Sequence, residues 1–174
     1  MTNLVVESLQ VVFDGRTILD IPQLELEQGK LLVISGPSGS GKSTLLNVIC
    51  GLLEPDAGQV SWNYEPLFTL NESQRANWRA VNCGFMFQDF HLLPALSVLD
   101  NVLMVAMARA LFENKNILLA DEPTASLDRE NAEFVINELQ KQAAQGRFVL
   151  IVSHDPLVQS VADKHFILTR GKLQ

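Results

Sequence analysis

Short apolar runs recur along the chain, most of them closed by Gly, Asp, Asn or Pro. Leu4–Phe13 reads as a strand, Asp14-Gly15 as a hairpin turn and residues 16–19 as the returning strand. Residues 24–26 form a further short strand candidate. Leu31–Ser35 is apolar almost throughout, as expected of a parallel strand covered on both faces. Beyond it Leu45, Leu46, Val48 and Ile49 repeat at helical spacing until Gly51. Residues 51–58, with Pro55-Asp56-Ala57-Gly58, read as a turn region. Residues 59–62 and 83–87 read as strands, and the stretch between them is polar and loop-rich. Residues 116–120 form a strand that ends in two carboxylates. Arg129–Ala144 carries a stripe of Ala132, Val135, Ile136, Leu139 and Ala143, with Gly146 closing the helix. Phe148–Val152 and residues 165–168 are two more strands, with a short helix expected over 156–162. Strands alternating with helices predict an α/β fold with a mostly parallel sheet, preceded by an antiparallel β subdomain.

The chemistry enters at the end of the third apolar run. Gly36-Pro37-Ser38-Gly39-Ser40-Gly41-Lys42-Ser43-Thr44 fits G-x-x-x-x-G-K-[ST], the phosphate-binding loop. Strand, glycine loop and helix occur in the order that such a loop requires. The glycines let backbone N–H groups turn inward on a phosphate at a helix N-terminus. Lys42 is expected to reach the β- and γ-phosphates of a nucleoside triphosphate, and the Ser43 hydroxyl to ligate Mg²⁺. Asp121 and Glu122 follow an apolar strand, where ligands of open α/β sheets bind. Asp121 suits an outer-sphere contact to Mg²⁺, and Glu122 suits the base or orienter for an attacking water. His154 also follows an apolar strand and is placed to touch the γ-phosphate.

Composition narrows the partners. A net charge of −7 argues against a general nucleic-acid binder. Cys50 and Cys83 show no metal-ligand spacing and read as reduced thiols. The N-terminus lacks the basic start and long apolar stretch of a signal peptide. No apolar run approaches the ~18 residues of a membrane span. The expected location is therefore cytoplasmic, with any work at a membrane done through a partner.

Taken together, these motifs resemble the ATP-binding subunit of an ABC transporter along nearly the whole sequence. Phe85-Met86-Phe87-Gln88-Asp89 resembles the family's glutamine loop, which gives Gln88 a role near Mg²⁺ and the water. Asp121-Glu122-Pro123-Thr124 resembles the second nucleotide motif with its catalytic glutamate. Ala125-Ser126-Leu127-Asp128 resembles the loop that follows it, so Asp128 joins the nucleotide-binding set. His154 falls at the switch histidine. Phe13 falls where the family keeps an aromatic stacked on adenine; an ordinary strand aromatic is the alternative. Residues 87–94 and 100–103 are similar to a narrower group serving lipoprotein release, macrolide-type efflux and a cell-division complex. The resemblance implies a RecA-like P-loop core as one domain over 1–174, a head-to-tail pair with a second ATP-binding subunit, and a permease at the inner face of the cell membrane.

One departure stands out. The family carries Leu-Ser-Gly-Gly-Gln on a helical subdomain between the glutamine loop and the second nucleotide motif. Here no glycine lies between Gly84 and Gly146, and Gln88 and Asp121 are only 33 positions apart. Most of the helical subdomain is expected to be deleted, with the junction at Met104/Val105. Residues 102–108 would then be apolar on every side, which suits a covered helix. The resemblance implies that this chain binds Mg-ATP but turns it over poorly as a homodimer.

Overall fold

The computed structural model describes residues 4–86, 115–125 and 127–174. Gln88, the 104/105 junction and the apolar stretch 102–108 lie outside the described residues.

Two sheets organise the chain. The first is a four-stranded antiparallel sheet in the order β2-β1-β4-β5. Its strands are β1 (Leu4–Phe13), β2 (Arg16–Leu26), β4 (Ala57–Trp62) and β5 (Glu65–Pro66). The second has six strands in the order β10-β9-β3-β8-β7-β6. They are β3 (Leu31–Ser35), β6 (Cys83–Met86), β7 (Ile117–Asp121), β8 (Phe148–Val152), β9 (Lys164–Thr169) and β10 (Lys172–Leu173). All its pairings are parallel except β9 with β10. Among the described residues the α-helices are α1 (Lys42–Ile49), α2 (Glu72–Asn82), α3 (Arg129–Ala144) and α4 (Pro156–Ser160). The expected α/β core with an antiparallel β subdomain is what forms.

The two faces of the parallel sheet bury different cores. One face carries Leu32, Ile34, Leu119, Phe148 and Leu150, packed with α1 and the antiparallel sheet. Trp62 of β4 bridges the layers, edge-on to Phe148 at 5.3 Å and to Trp78 of α2 at 6.2 Å. The other face, with Leu31, Val33, Leu118 and Ile151, packs under α3 and α4. The predicted α3 stripe supplies Ala132, Ile136, Leu139 and Ala143 to that core.

Two expectations are corrected. Residues 16–19 and 24–26 are not separate strands but parts of one strand, Arg16–Leu26. Its inward positions change parity, from Leu19 and Ile21 to Leu24 and Leu26. Facing it, β1 changes from Leu4 and Val6 to Leu9 and Val11, through Ser8 at φ 50°. The kink lets both strands bury all eight residues, and Pro22 is tolerated because β2 is an edge strand. Gly58 of β4 makes room for the kink: at φ 82° its Cβ position would lie 2.3 Å from the Ser8 carbonyl oxygen.

The second correction is α2, where a polar loop was expected. Asn71 accepts from the Gln74 N–H at 3.0 Å, while Gln74 accepts from the Asn71 N–H at 2.9 Å. This reciprocal cap starts the helix at Glu72. Arg75 and Arg79 both pair with Glu72, and Arg79 also caps the Gly51 carbonyl at 2.6 Å. The helix is held mainly by polar contacts around Trp78, so hydrophobic periodicity alone does not reveal it.

Asn71→Ala removes the N-cap and is expected to cost about 1 kcal/mol. For a domain of this size that lowers Tm by about 2–4 °C, to be read by thermal unfolding followed by circular dichroism.

Candidate functional site

Parallel register sets the site. Ile34 of β3 and Asp121 of β7 are both paired with Val152 of β8, so the three strands end on one level. The next residues out are bound together as well. Ser153 N–H donates to the Ile34 carbonyl at 3.1 Å, and Glu122 N–H to the Val152 carbonyl at 2.9 Å. Three loops therefore leave the sheet side by side at its carboxyl edge.

The first loop is residues 36–41. Gly36 has no room for a side chain, since a Cβ there would lie 2.1 Å from the Leu168 carbonyl oxygen. Gly41, at φ 103°, is the N-cap of α1 and presses against Ile18 and Leu19 of β2. Pro37, Ser38 and Gly39 form an exposed crest. Lys42 curls back, its Nζ donating to the carbonyls of Gly36 at 2.8 Å and Pro37 at 3.1 Å. The Ser40 Oγ is buried without a hydrogen-bond partner, an anomaly that calls for a ligand group. A capless helix N-terminus, an orphaned hydroxyl and a lysine form the donor set that a phosphate chain needs.

The second loop brings Asp121 and Glu122. Burial pushes the Asp121 carboxyl above the ordinary carboxylate range; the neighbouring Ser43 hydroxyl opposes this, the Glu122 charge adds to it, and Lys42 opposes it. Ser43 and Asp121 thus face each other, as expected for a Mg²⁺ position. Among the described residues no group of three or more His, Cys, Asp or Glu could cage a metal. One hydroxyl and one carboxylate fit Mg²⁺, which usually takes its remaining ligands from phosphate and water.

Glu122 is buried, and its backbone is left-handed at φ 48°, an uncommon conformation for this residue type. Its carboxylate is clamped by the third loop. Ser153 Oγ and the His154 N–H reach Oε2 at 3.0 and 3.3 Å, and His154 Nδ1 contacts Oε1 at 2.8 Å. The His154 side chain is otherwise exposed.

The remaining candidates divide. Phe13 is 47% exposed at the end of β1, opposite Arg16 and two residues along β2 from the Ile18 that touches Gly41. The hairpin thereby holds an open aromatic beside the loop. Thr44 sits in the first turn of α1. Asp128 is the N-cap of α3, with both carboxylate oxygens accepting from Asn131 at 2.9 Å. The Asn131 N–H bond holds the Asp128 carboxyl below its ordinary range. Residue-type reasoning passed over Ser153, Asp155 and Thr124. The signals were Ser-x-Asp after an apolar strand and Asp-Pro at a helix start.

Fold and site together define a phosphate-loop nucleotide-binding α/β domain. The ABC transporter family pattern matches residues 19–104. Lipoprotein-releasing system ATP-binding protein LolD 1 of Rhodopirellula baltica is 34% identical, with 86% of this chain and 85% of that protein covered. Macrolide export ATP-binding/permease protein MacB 2 of Aeromonas hydrophila is 31% identical over 91% of this chain, which spans only 31% of that protein. The ATP-binding cassette MJ0796, solved as a dimer in a post-hydrolysis state with ADP and Pi, superposes with a TM-score of 0.85 at 27% identity. That superposition covers 98% of this chain and 96% of that one. The chain belongs to the ATP-binding subunits of ABC transporters, which are P-loop ATPases. The LolD 1 alignment is 194 positions long, while 86% of 174 residues is about 150, so about 44 positions have no residue here. That gap agrees with the internal shortening read from the sequence.

Because burial makes the Asp121 charge costly in the free protein, Asp121→Asn is expected to raise Tm without nucleotide while reducing the stabilisation by Mg-ATP. The sign follows from the raised pKa: ionised Asp121 opposes folding above its folded-state pKa, and the penalty fades as pH falls from that raised value to the ordinary carboxylate value. Thermal shifts with and without Mg-ATP, from pH 4 to 8, check both halves.

Proposed function

We propose that this chain is an ATP-hydrolysing subunit that drives membrane export or lipoprotein release through a permease at the inner face of the cell membrane. The observation that carries the proposal is the Glu122 clamp beside the phosphate loop: a buried carboxylate held by Ser153 and His154. A domain that only bound nucleotide would have no need of so fixed a base. The reaction is attack of water on the γ-phosphate, with catalysis by positioning and electrostatics. The loop N–H groups and Lys42 hold the phosphates. Glu122 orients the water and takes up its proton. His154 contacts the γ-phosphate, and Gln88 completes the set from the metal side. Ser43 and Asp121 hold Mg²⁺, which neutralises phosphate charge when bound. Phe13 stacks on adenine, and Asp128 belongs to the nucleotide-binding set. Among the described residues no helix is long and apolar enough to cross a membrane, and LolD 1 is named the ATP-binding protein of a lipoprotein-releasing system. A permease is the fitting partner, with no nucleic acid involved.

A second reading is favoured by the missing signature motif. In a head-to-tail pair each ATP needs N–H donors from the opposite subunit. Losing one such donor costs about a hundred- to a thousandfold in rate, and two copies of this chain lack the whole element. The chain then binds ATP and works only with a complete partner.

Turnover by the chain alone is expected to lie at least about a hundredfold below that in a mixture with a complete cassette disabled in its own catalytic glutamate. Glu122→Gln in this chain removes the activity of the mixture. A steady-state phosphate-release assay reads both, and an active chain that is indifferent to Glu122→Gln contradicts the assignment.

A further inference from the structure

The clamp on Glu122 is asymmetric. Ser153 is fully buried at the end of β8, and its hydroxyl has one hydrogen to give. Asp155 N–H donates to Ser153 Oγ at 3.1 Å, so that hydrogen is directed to Glu122 Oε2, at 3.0 Å. His154 N–H donates to the same oxygen. Among the described residues, Oε2 is therefore loaded by two donors and Oε1 by His154 Nδ1 alone. A carboxylate oxygen has room for two donors, so within this set of residues the position left over is on Oε1.

Behind the serine stands a second layer. The Asp155 carboxylate accepts from Thr124 Oγ1 and from Leu157 N–H, each at 2.8 Å. Thr124 is buried in the loop after β7, the loop that carries Glu122 itself. The chain Thr124–Asp155–Ser153–Glu122 thus leaves the β7 loop, crosses to the β8 loop and returns. It ties the two loops together beyond the last backbone bonds of their strands, Glu122 N–H to the Val152 carbonyl and Ser153 N–H to the Ile34 carbonyl.

We propose that Ser153, held by Asp155 and Thr124, is a positioning residue for ATP hydrolysis: it pins Oε2 of Glu122 so that Oε1 is the oxygen presented to the reacting water. This rests on the ATPase reading of the site. It adds a specific assignment, one carboxylate oxygen fixed and the other working, set by a serine buried at the end of β8. Where the Glu122 carboxylate accepts in this contact, His154 donates from Nδ1. The tautomer of His154 therefore reports on the carboxylate's position.

The test uses the full chain with Ser153→Ala, Ser153→Thr and, as a milder lesion, the near-isosteric Thr124→Val. Nitrogen-15 NMR of the His154 ring in the nucleotide-free protein is expected to show the Nδ1–H tautomer in the unmodified chain and in Ser153→Thr. It should shift toward the Nε2–H form in Ser153→Ala and partway in Thr124→Val. Single-turnover hydrolysis, in the presence of the disabled complete partner, should slow about tenfold or more in Ser153→Ala. The Kd for Mg-ATP should stay within about twofold, and threonine should restore the rate. An unchanged tautomer in both lesions, or loss of ATP affinity in proportion to rate, overturns the proposal. If Ser153→Ala fails to fold, Thr124→Val decides on the same two readouts. If the unmodified chain shows no hydrolysis even with the partner, the ATPase reading fails, while the tautomer measurement still decides whether Ser153 positions Glu122.

Discussion

The site depends on the lateral register of three parallel strands. Val152 of β8 pairs with Ile34 on one side and Asp121 on the other, and this places the phosphate loop, the carboxylate pair and Ser153-His154 on one edge. The buried hydrophobic residues of β3, β7 and β8 hold that register from both faces. A slip of one residue would turn inward-facing Leu, Ile and Val outward along a whole strand. The chemistry at the edge is thus as well fixed as the core beneath it.

That core supports a site with unfavourable features of its own. Asp121 is held above its ordinary pKa by burial, Glu122 adopts a left-handed backbone and Ser40 Oγ has no partner. Each costs stability in the free protein, and each has a use when a phosphate chain and a cation arrive. Lys42 has a satisfied alternative in its own loop carbonyls, so binding exchanges one set of acceptors for another. The phosphate loop, the carboxylate pair and Ser153-His154 are therefore brought together within this chain's own fold. The half that a pair would supply in trans depends on a signature motif the sequence lacks.

Much of this was legible from the residues. The phosphate loop, the boundaries of α3 and β8, and the two-sheet architecture follow from periodicity and motif spacing. The split of β2 was misread because the kink at Ser8 and Pro22 changes the parity of the alternating pattern, and period-two reasoning takes such a change for a break. Helix α2 was missed because it buries no residue fully and is defined by its Asn71–Gln74 cap and its arginines. Asp121, Glu122 and His154 were singled out because they are charged or titratable beside a recognised loop, and the structure brings them to one edge of the sheet. Ser153 and Asp155 were not, because their roles lie in which hydrogen bonds they complete, and sequence spacing does not encode that. Phe13 and Asp128 rest on resemblance: one is an open aromatic on a hairpin, the other a helix cap.

The most direct test of the central claim, that this fold carries a complete nucleotide-binding half-site, is calorimetric titration of the nucleotide-free chain with Mg-ATP. The account predicts one ATP per chain, binding retained in Glu122→Gln and lost in Lys42→Ala, with all three proteins folded. A folded chain that takes up no Mg-ATP, or that binds it equally well without Lys42, would contradict it.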